Sequence, residues 1–102
     1  MSQCVRLCSA GEAPEPGKLG TFNAAGVDVC LANVDGELAA MDNACPHRQG
    51  PLGEGWIEGN AVVCPWHAWA FDCRTGDCPE EHSRVNVYPL RREGEDVLVN
   101  LS

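Results

Sequence analysis

Two short segments, Cys45-Pro46-His47 and Cys64-Pro65-Trp66-His67, stand sixteen residues apart and bring two thiols and two imidazoles into one chain. Each half offers one sulfur and one nitrogen. Zinc and iron–sulfur chemistry both accept these ligands, so the pattern predicts a metal centre. It also constrains the fold, which has to bring two loops to one place. Core packing gives no reason to put two Cys/His pairs in proline-containing loops, so four unliganded core residues is the weaker reading.

Zinc and a two-iron cluster compete for this donor set. Two Cys and two His can close a tetrahedral structural zinc site, but zinc fingers usually pair C-x-x-C with H-x₃₋₅-H. Mixed halves at this separation fit a [2Fe-2S] cluster better, with one iron held by two Cys and the other by two His. Around the pattern the chain closely resembles the Rieske ferredoxin family. The resemblance runs from Cys45-Pro46-His47-Arg48 through Pro51-Leu52-Gly53-Glu54-Gly55 to Cys64-Pro65-Trp66-His67-Ala68-Trp69. It continues into Phe71-Asp72 and Thr75-Gly76, and covers roughly a third of the chain.

Turn signals recur at short intervals: Ala25-Gly26, Asp35-Gly36, Gly59-Asn60, Thr75-Gly76 and Glu93-Gly94. Between them lie short apolar or alternating runs, Val27 to Ala32, Ala61 to Val63, Val85 to Leu90 and Val97 to Leu101. This punctuation predicts an all-β domain of antiparallel hairpins. No stretch sustains a helical apolar period for three turns, so little helix is expected. The segment from about 43 to 71 carries all three Trp, which predicts a small cluster-binding subdomain set into a larger β framework, as the resemblance also implies.

At 102 residues the chain is expected to be one domain, residues 1 to 102, with room for a single core. Large subunits of Rieske oxygenases also need a long C-terminal domain holding mononuclear iron. Residues 74 to 102 are too few to fold as one, so oxygen chemistry is expected on another protein. Seven Lys and Arg against fifteen Asp and Glu give a formal charge of −8, which argues against a nucleic-acid partner. An acidic carrier suits a basic docking surface, although acidic residues also simply keep a small protein soluble. No apolar run follows Met1 that would serve as a signal peptide or membrane span, so a cytoplasmic protein is expected.

The resemblance implies that Cys45 and Cys64 hold the inner iron of one [2Fe-2S] cluster, while His47 and His67 hold the outer one. With neutral imidazoles the oxidised cluster is uncharged and one electron makes it −1, which raises its potential above that of all-Cys ferredoxins. In respiratory relatives an extra Cys in each loop forms a disulfide beside the cluster; Gly50 and Trp66 stand at those positions here. A Ser and a Tyr hydroxyl near the cluster sulfurs are replaced by Trp69 and Phe71. Both changes predict a potential toward the low end of the Rieske range, about −150 mV. A ferric iron also acidifies a ligand imidazole, so the potential is expected to fall at alkaline pH.

One residue departs from the family: Gly is usual after the second His, and here it is Ala68. If that position needs a positive φ, Ala68 strains the loop. Pro46 and Pro65 stiffen the loops or simply form turns. Gly50, Gly53 and Gly55 let backbone approach the cluster or simply turn the chain, and Trp56, Trp66 and Trp69 shield the cluster or fill the core. His82 lies outside both loops and is expected to be exposed. The remaining cysteines, Cys4, Cys8, Cys30, Cys73 and Cys78, are odd in number and are expected to be mostly small buried hydrophobes. A disulfide between Cys73 and Cys78 is open, for geometry to decide.

The leading functional expectation is a one-electron carrier, fed by a flavin-dependent NAD(P)H reductase and serving a terminal oxygenase, that itself transforms no organic substrate. The stretch Phe71 to Glu80 with Val87-Tyr88-Pro89-Leu90 also resembles the Rieske-like small subunit of assimilatory nitrite reductase, which would make a large nitrite reductase subunit the partner. A zinc-bound interaction module, or a thiol sensor using the surplus cysteines, is the third class.

Overall fold

The computed structural model describes residues 4 to 45, 50 to 66 and 68 to 101. Its strands are β1 (Cys4–Ser9), β2 (Leu19–Ala24), β3 (Val27–Val34), β4 (Glu37–Asp42), β5 (Trp56–Glu58), β6 (Ala61–Val63), β7 (Ala70–Asp72), β8 (Asp77–Cys78), β9 (Ser83–Arg84), β10 (Val87–Tyr88), β11 (Leu90–Glu93) and β12 (Asp96–Asn100). Two 3-10 turns, Leu52–Glu54 and Pro79–Glu81, are the only helical segments among the described residues. The fold is all-β, with every strand pair antiparallel, as the turn punctuation predicts.

Strand β3 explains how the parts are joined. Residues 29 to 33 are buried without a break, and the two-residue period of a strand sends alternate side chains to opposite faces. Val29 and Leu31 pack with Leu7, Ala24, Val97 and Val99 in one core. Cys30 and Ala32 pack with Leu52, Val62, Phe71 and the two predicted ligand cysteines, Cys45 and Cys64, in the other. Strand β4 repeats the division, with Ala40 on the first side and Met41 on the second. The sheet β10-β4-β3-β2 is therefore a wall with a core on each face.

The first core is closed by the sheet β1-β12-β11, and the second by the sheet β5-β6-β7 that leads into the ligand loops. Two-residue turns at Ala25-Gly26 and Asp35-Gly36 set the β2–β3–β4 register. All four of these turn residues have positive φ, between 50° and 94°, the pairing that matches the right-handed twist of a hairpin.

One expected strand is not continuous. The run Val85 to Leu90 divides into β10, which pairs with β4, and β11, which pairs with β12 in a different sheet. Pro89 stands between them and has no N–H for a ladder, so the chain changes sheets there. Cys73 and Cys78 are both buried thiols and form no disulfide. Cys8 and Cys30 are buried as well, while Cys4 is exposed. Burial pushes the Cys30 thiol up to about 12, with Cys73 adding to it, and pushes Cys73 up to about 11, with Asp72 adding to it.

Candidate metal centre

The first candidate ligand loop leaves the end of β4 and returns through the 3-10 turn Leu52–Glu54. Ala44 bridges Pro51, and the Cys45 N–H donates to the Gly50 carbonyl at 2.9 Å, which closes the loop just above its base. The second loop is the tip of the β6–β7 hairpin. There the Cys64 N–H donates to the Trp69 carbonyl at 2.8 Å and the Ala68 N–H donates to the Cys64 carbonyl at 3.0 Å. Cys45 and Cys64 are each 1% exposed and share the second core. His47 and His67, and Pro46 with them, lie outside the described residues.

Gly50 shows how closely the loops meet. A Cβ built there would sit 3.0 Å from Cys64 Sγ and 3.0 Å from the Trp66 ring. The backbone of the first loop thus lies directly against the thiol of the second, with the indole beside it. The donor chemistry fits a cluster with two thiolate ligands: two buried thiols, on two loops in contact, each followed within three residues by a histidine.

A Rieske [2Fe-2S] domain model matches residues 3 to 89. The chain is 38% identical over 101 residues to the biphenyl dioxygenase ferredoxin subunit of Pseudomonas sp. (strain KKS102), covering 96% of this chain and 92% of that one. It is 36% identical over 93 residues to the ferredoxin component of the naphthalene 1,2-dioxygenase system of Pseudomonas aeruginosa, covering 89% and 88%. The solved ferredoxin of Sphingomonas yanoikuyae B1 superposes with a TM-score of 0.85 at 26% identity, over 98% of this chain and 100% of that one. The chain belongs to the Rieske [2Fe-2S] family. Its cofactor is a [2Fe-2S] cluster, and the zinc reading falls.

Within this Rieske domain Phe71 shares the core of Cys45 and Cys64. Phe71 is fully buried, and Trp69 packs against it with ring centroids 6.5 Å apart; neither carries a hydroxyl. The three tryptophans divide: Trp69 packs on the second core, whereas Trp56 and Trp66 are 44% and 56% exposed. Ala68 has φ 57°, so the position after the second histidine does need a left-handed backbone, and an L-residue is strained there. His82 is exposed.

Of the three glycines, Gly50 alone faces a candidate ligand thiol, that of Cys64. A Cβ on Gly55 would lie 1.8 Å from the Val63 carbonyl oxygen, so it allows the 3-10 turn to press on β6. One on Gly53 would lie 2.0 Å from Thr21 Oγ1 and 2.9 Å from Asn43 Oδ1. The sequence reading missed Asn43 and Thr21. The available signal was an Asn just past the end of a strand, immediately before the candidate ligand loop, where its amide oxygen can accept loop N–H groups.

Proposed function

We propose that this protein is a one-electron carrier in which Cys45 and Cys64 hold one iron of the cluster and His47 and His67 the other. It receives electrons from a flavin-dependent NAD(P)H reductase and passes them to a terminal oxygenase. The observation that carries this reading is the close approach of the first loop's backbone at Gly50 to the buried Cys64 thiol, with Cys45 buried in the same core, in a chain aligned over most of its length with dioxygenase ferredoxins. Those relatives favour the oxygenase carrier over the small subunit of nitrite reductase. The cluster, when bound, supplies a single reversible electron.

The chain's own residues do the rest. Cys45 and Cys64 anchor the cluster on the apolar core, while the exposed Trp66 indole offers an aromatic anchor to a docking partner beside His67. Residues 1 to 102 act as one domain, with about 43 to 71 as the cluster-binding subdomain. A groove of about 580 Å³ lies elsewhere, lined by residues such as Val34, Leu38, Arg74 and Tyr88 and by none of the described residues of the two loops. A cytoplasmic location, with thiols kept reduced, agrees with cysteines that form no disulfide. The absence of hydroxyls at Trp69 and Phe71 supports a potential near the low end of the range, about −150 mV.

The deciding experiment purifies the protein anaerobically, assays iron and acid-labile sulfide, and records EPR before and after reduction. Reduced protein is then mixed with an oxygenase of the aromatic-ring type. Two irons per chain, a Rieske-type signal and oxidation of the carrier on mixing are expected. A colourless protein holding zinc would refute the ligand assignment, and a loaded protein that passes no electron to any such oxygenase would refute the partner.

A further inference from the structure

We propose that Asn43 is the positioning residue of the first ligand loop, clasping its two ends to strand β2 so that Cys45 and His47 are held in place for the cluster. This rests on the ligand assignment above.

The clasp is made of three short hydrogen bonds to one residue. The Asn43 carbonyl accepts the Leu52 N–H at 2.7 Å. Its side-chain Oδ1 accepts the Gly53 N–H at 2.8 Å and the Thr21 hydroxyl at 3.0 Å. An amide oxygen has two lone pairs, and both are used. Cys45 and His47 lie between Asn43 and Leu52, so fastening these two residues fixes the span of the loop that carries both ligands.

Strand parity explains why Asn43 can do this. Thr21 pairs with Cys30, Cys30 with Met41, and Met41 with Val87, which forms a row across the sheet. Cys30 and Met41 in that row face the ligand-side core. Asn43 is two residues beyond Met41 and continues on the same face. Asp42, one residue earlier, serves another element: its carboxylate accepts the Tyr88 hydroxyl and, at 3.0 Å, the Asn86 N–H. Adjacent residues thus fasten β10 and the ligand loop separately.

Gly53 is fitted to the clasp. A Cβ there would meet the Thr21 backbone nitrogen at 2.8 Å as well as both side-chain oxygens, so the loop can approach β2 this closely only without one. Removing the Asn43 acceptor orphans the half-buried Gly53 N–H and releases Thr21. An orphaned donor of this kind changes an equilibrium by roughly ten-fold or more.

The test compares the full-length, cluster-loaded protein with Asn43→Ala, Asn43→Asp and Thr21→Val. Four quantities are read: iron per chain, the rate at which a chelator bleaches the visible absorption, the EPR g-values of the reduced state, and the thermal midpoint. Asn43→Ala is expected to bleach about ten-fold faster with shifted or broadened g-values. Asn43→Asp keeps the acceptor and is expected to bleach within about two-fold of the parent. Thr21→Val, which removes one donor, is expected to fall between them.

An Asn43→Ala protein with parental bleaching rate and g-values overturns the proposal, even if its thermal midpoint falls, because the residue would then be merely structural. Should that variant not accumulate, Thr21→Val decides, and parental behaviour there overturns it. A parent protein without two irons per chain would instead refute the ligand assignment, which keeps the two failures distinct.

Discussion

Replacing Ala68 by Gly should stabilise this protein, which is the opposite of what the same change does at most positions. Ala68 is exposed, so its methyl contributes little packing, and its φ is 57°. A left-handed backbone costs an L-residue about 1 kcal/mol or somewhat more. The loop imposes it, because the Ala68 N–H is tied to the Cys64 carbonyl at 3.0 Å and the Cys64 N–H to the Trp69 carbonyl at 2.8 Å. Glycine relieves the strain, but its freer unfolded chain returns about 0.5 kcal/mol. The net gain is about 0.5 to 1 kcal/mol, or a factor of about 2 to 5 in an equilibrium constant, and about 2 to 6 °C in the thermal midpoint of a domain this size.

Two controls locate the effect. Ala25, exposed in the β2–β3 turn with φ 50°, carries the same strain away from the ligands. Ala61 sits in β6 without positive φ, and there glycine should cost about 1 kcal/mol. Ala25→Gly and Ala68→Gly should both raise the midpoint, measured by circular dichroism, and Ala61→Gly should lower it. Only Ala68→Gly should also slow chelator-driven bleaching, by about 2- to 5-fold, because only that strain lies in a ligand loop. An Ala68→Gly protein destabilised as much as Ala61→Gly would refute the reasoning, by showing that the loop accommodates the methyl without strain.

Gly55→Ala should destabilise by about 3 kcal/mol, since the new Cβ would lie 1.8 Å from a strand carbonyl; Gly11→Ala, with nothing within 4 Å, should change stability by under about 0.5 kcal/mol. Equal denaturation midpoints for the two would refute the fit of the 3-10 turn on β6. Brief treatment of the native protein with iodoacetamide at mildly alkaline pH should modify Cys4 and spare Cys8, Cys30, Cys73 and Cys78, as read by peptide mass spectrometry. Labelling of Cys30 as fast as Cys4 would contradict its burial. The raised Cys30 and Cys73 thiols, at about 12 and about 11, predict that stability holds below the ordinary thiol value of 9.0, where both states keep the proton. It should then fall as pH rises toward 11 to 12, because the unfolded chain releases protons that the folded chain retains. A denaturant midpoint unchanged across that window would refute this.

The parts of the fold announced by backbone chemistry were legible in the sequence. Gly26 and Asp35-Gly36 give away their hairpins because few residues tolerate the φ values required there. Cys45, His47, Cys64 and His67 were readable as candidate ligands because paired Cys/His segments serve little else. What was not readable depends on pairing at a distance. Pro89 marks where the strand breaks, but which sheet each half joins depends on the distant strands β4 and β12, and Thr21 meets Asn43 and Gly53 only because strand register aligns one face. The split among the tryptophans was equally hidden, since composition cannot say which of three indoles a core has room for.

The division of the molecule into two cores bears on how the carrier meets its partner. Cys45 and Cys64 are buried with Cys30, Met41 and Phe71, so the inner side of the cluster site is apolar and cannot solvate added charge. The electron nevertheless makes the cluster more negative, in a chain that already carries a formal −8. With the ligands as proposed, solvation of that charge would come from the loop tips, where Trp66 and Ala68, which flank His67 in sequence, are exposed. A partner that docks there removes this water and would disfavour the reduced state unless it brought positive charge of its own. A basic rim around an apolar pocket for Trp66 satisfies both requirements, since the pocket supplies affinity and the rim replaces the lost solvation. Transfer from such a complex should therefore weaken with salt through its association rate, while a Trp66→Ala change should chiefly speed its dissociation.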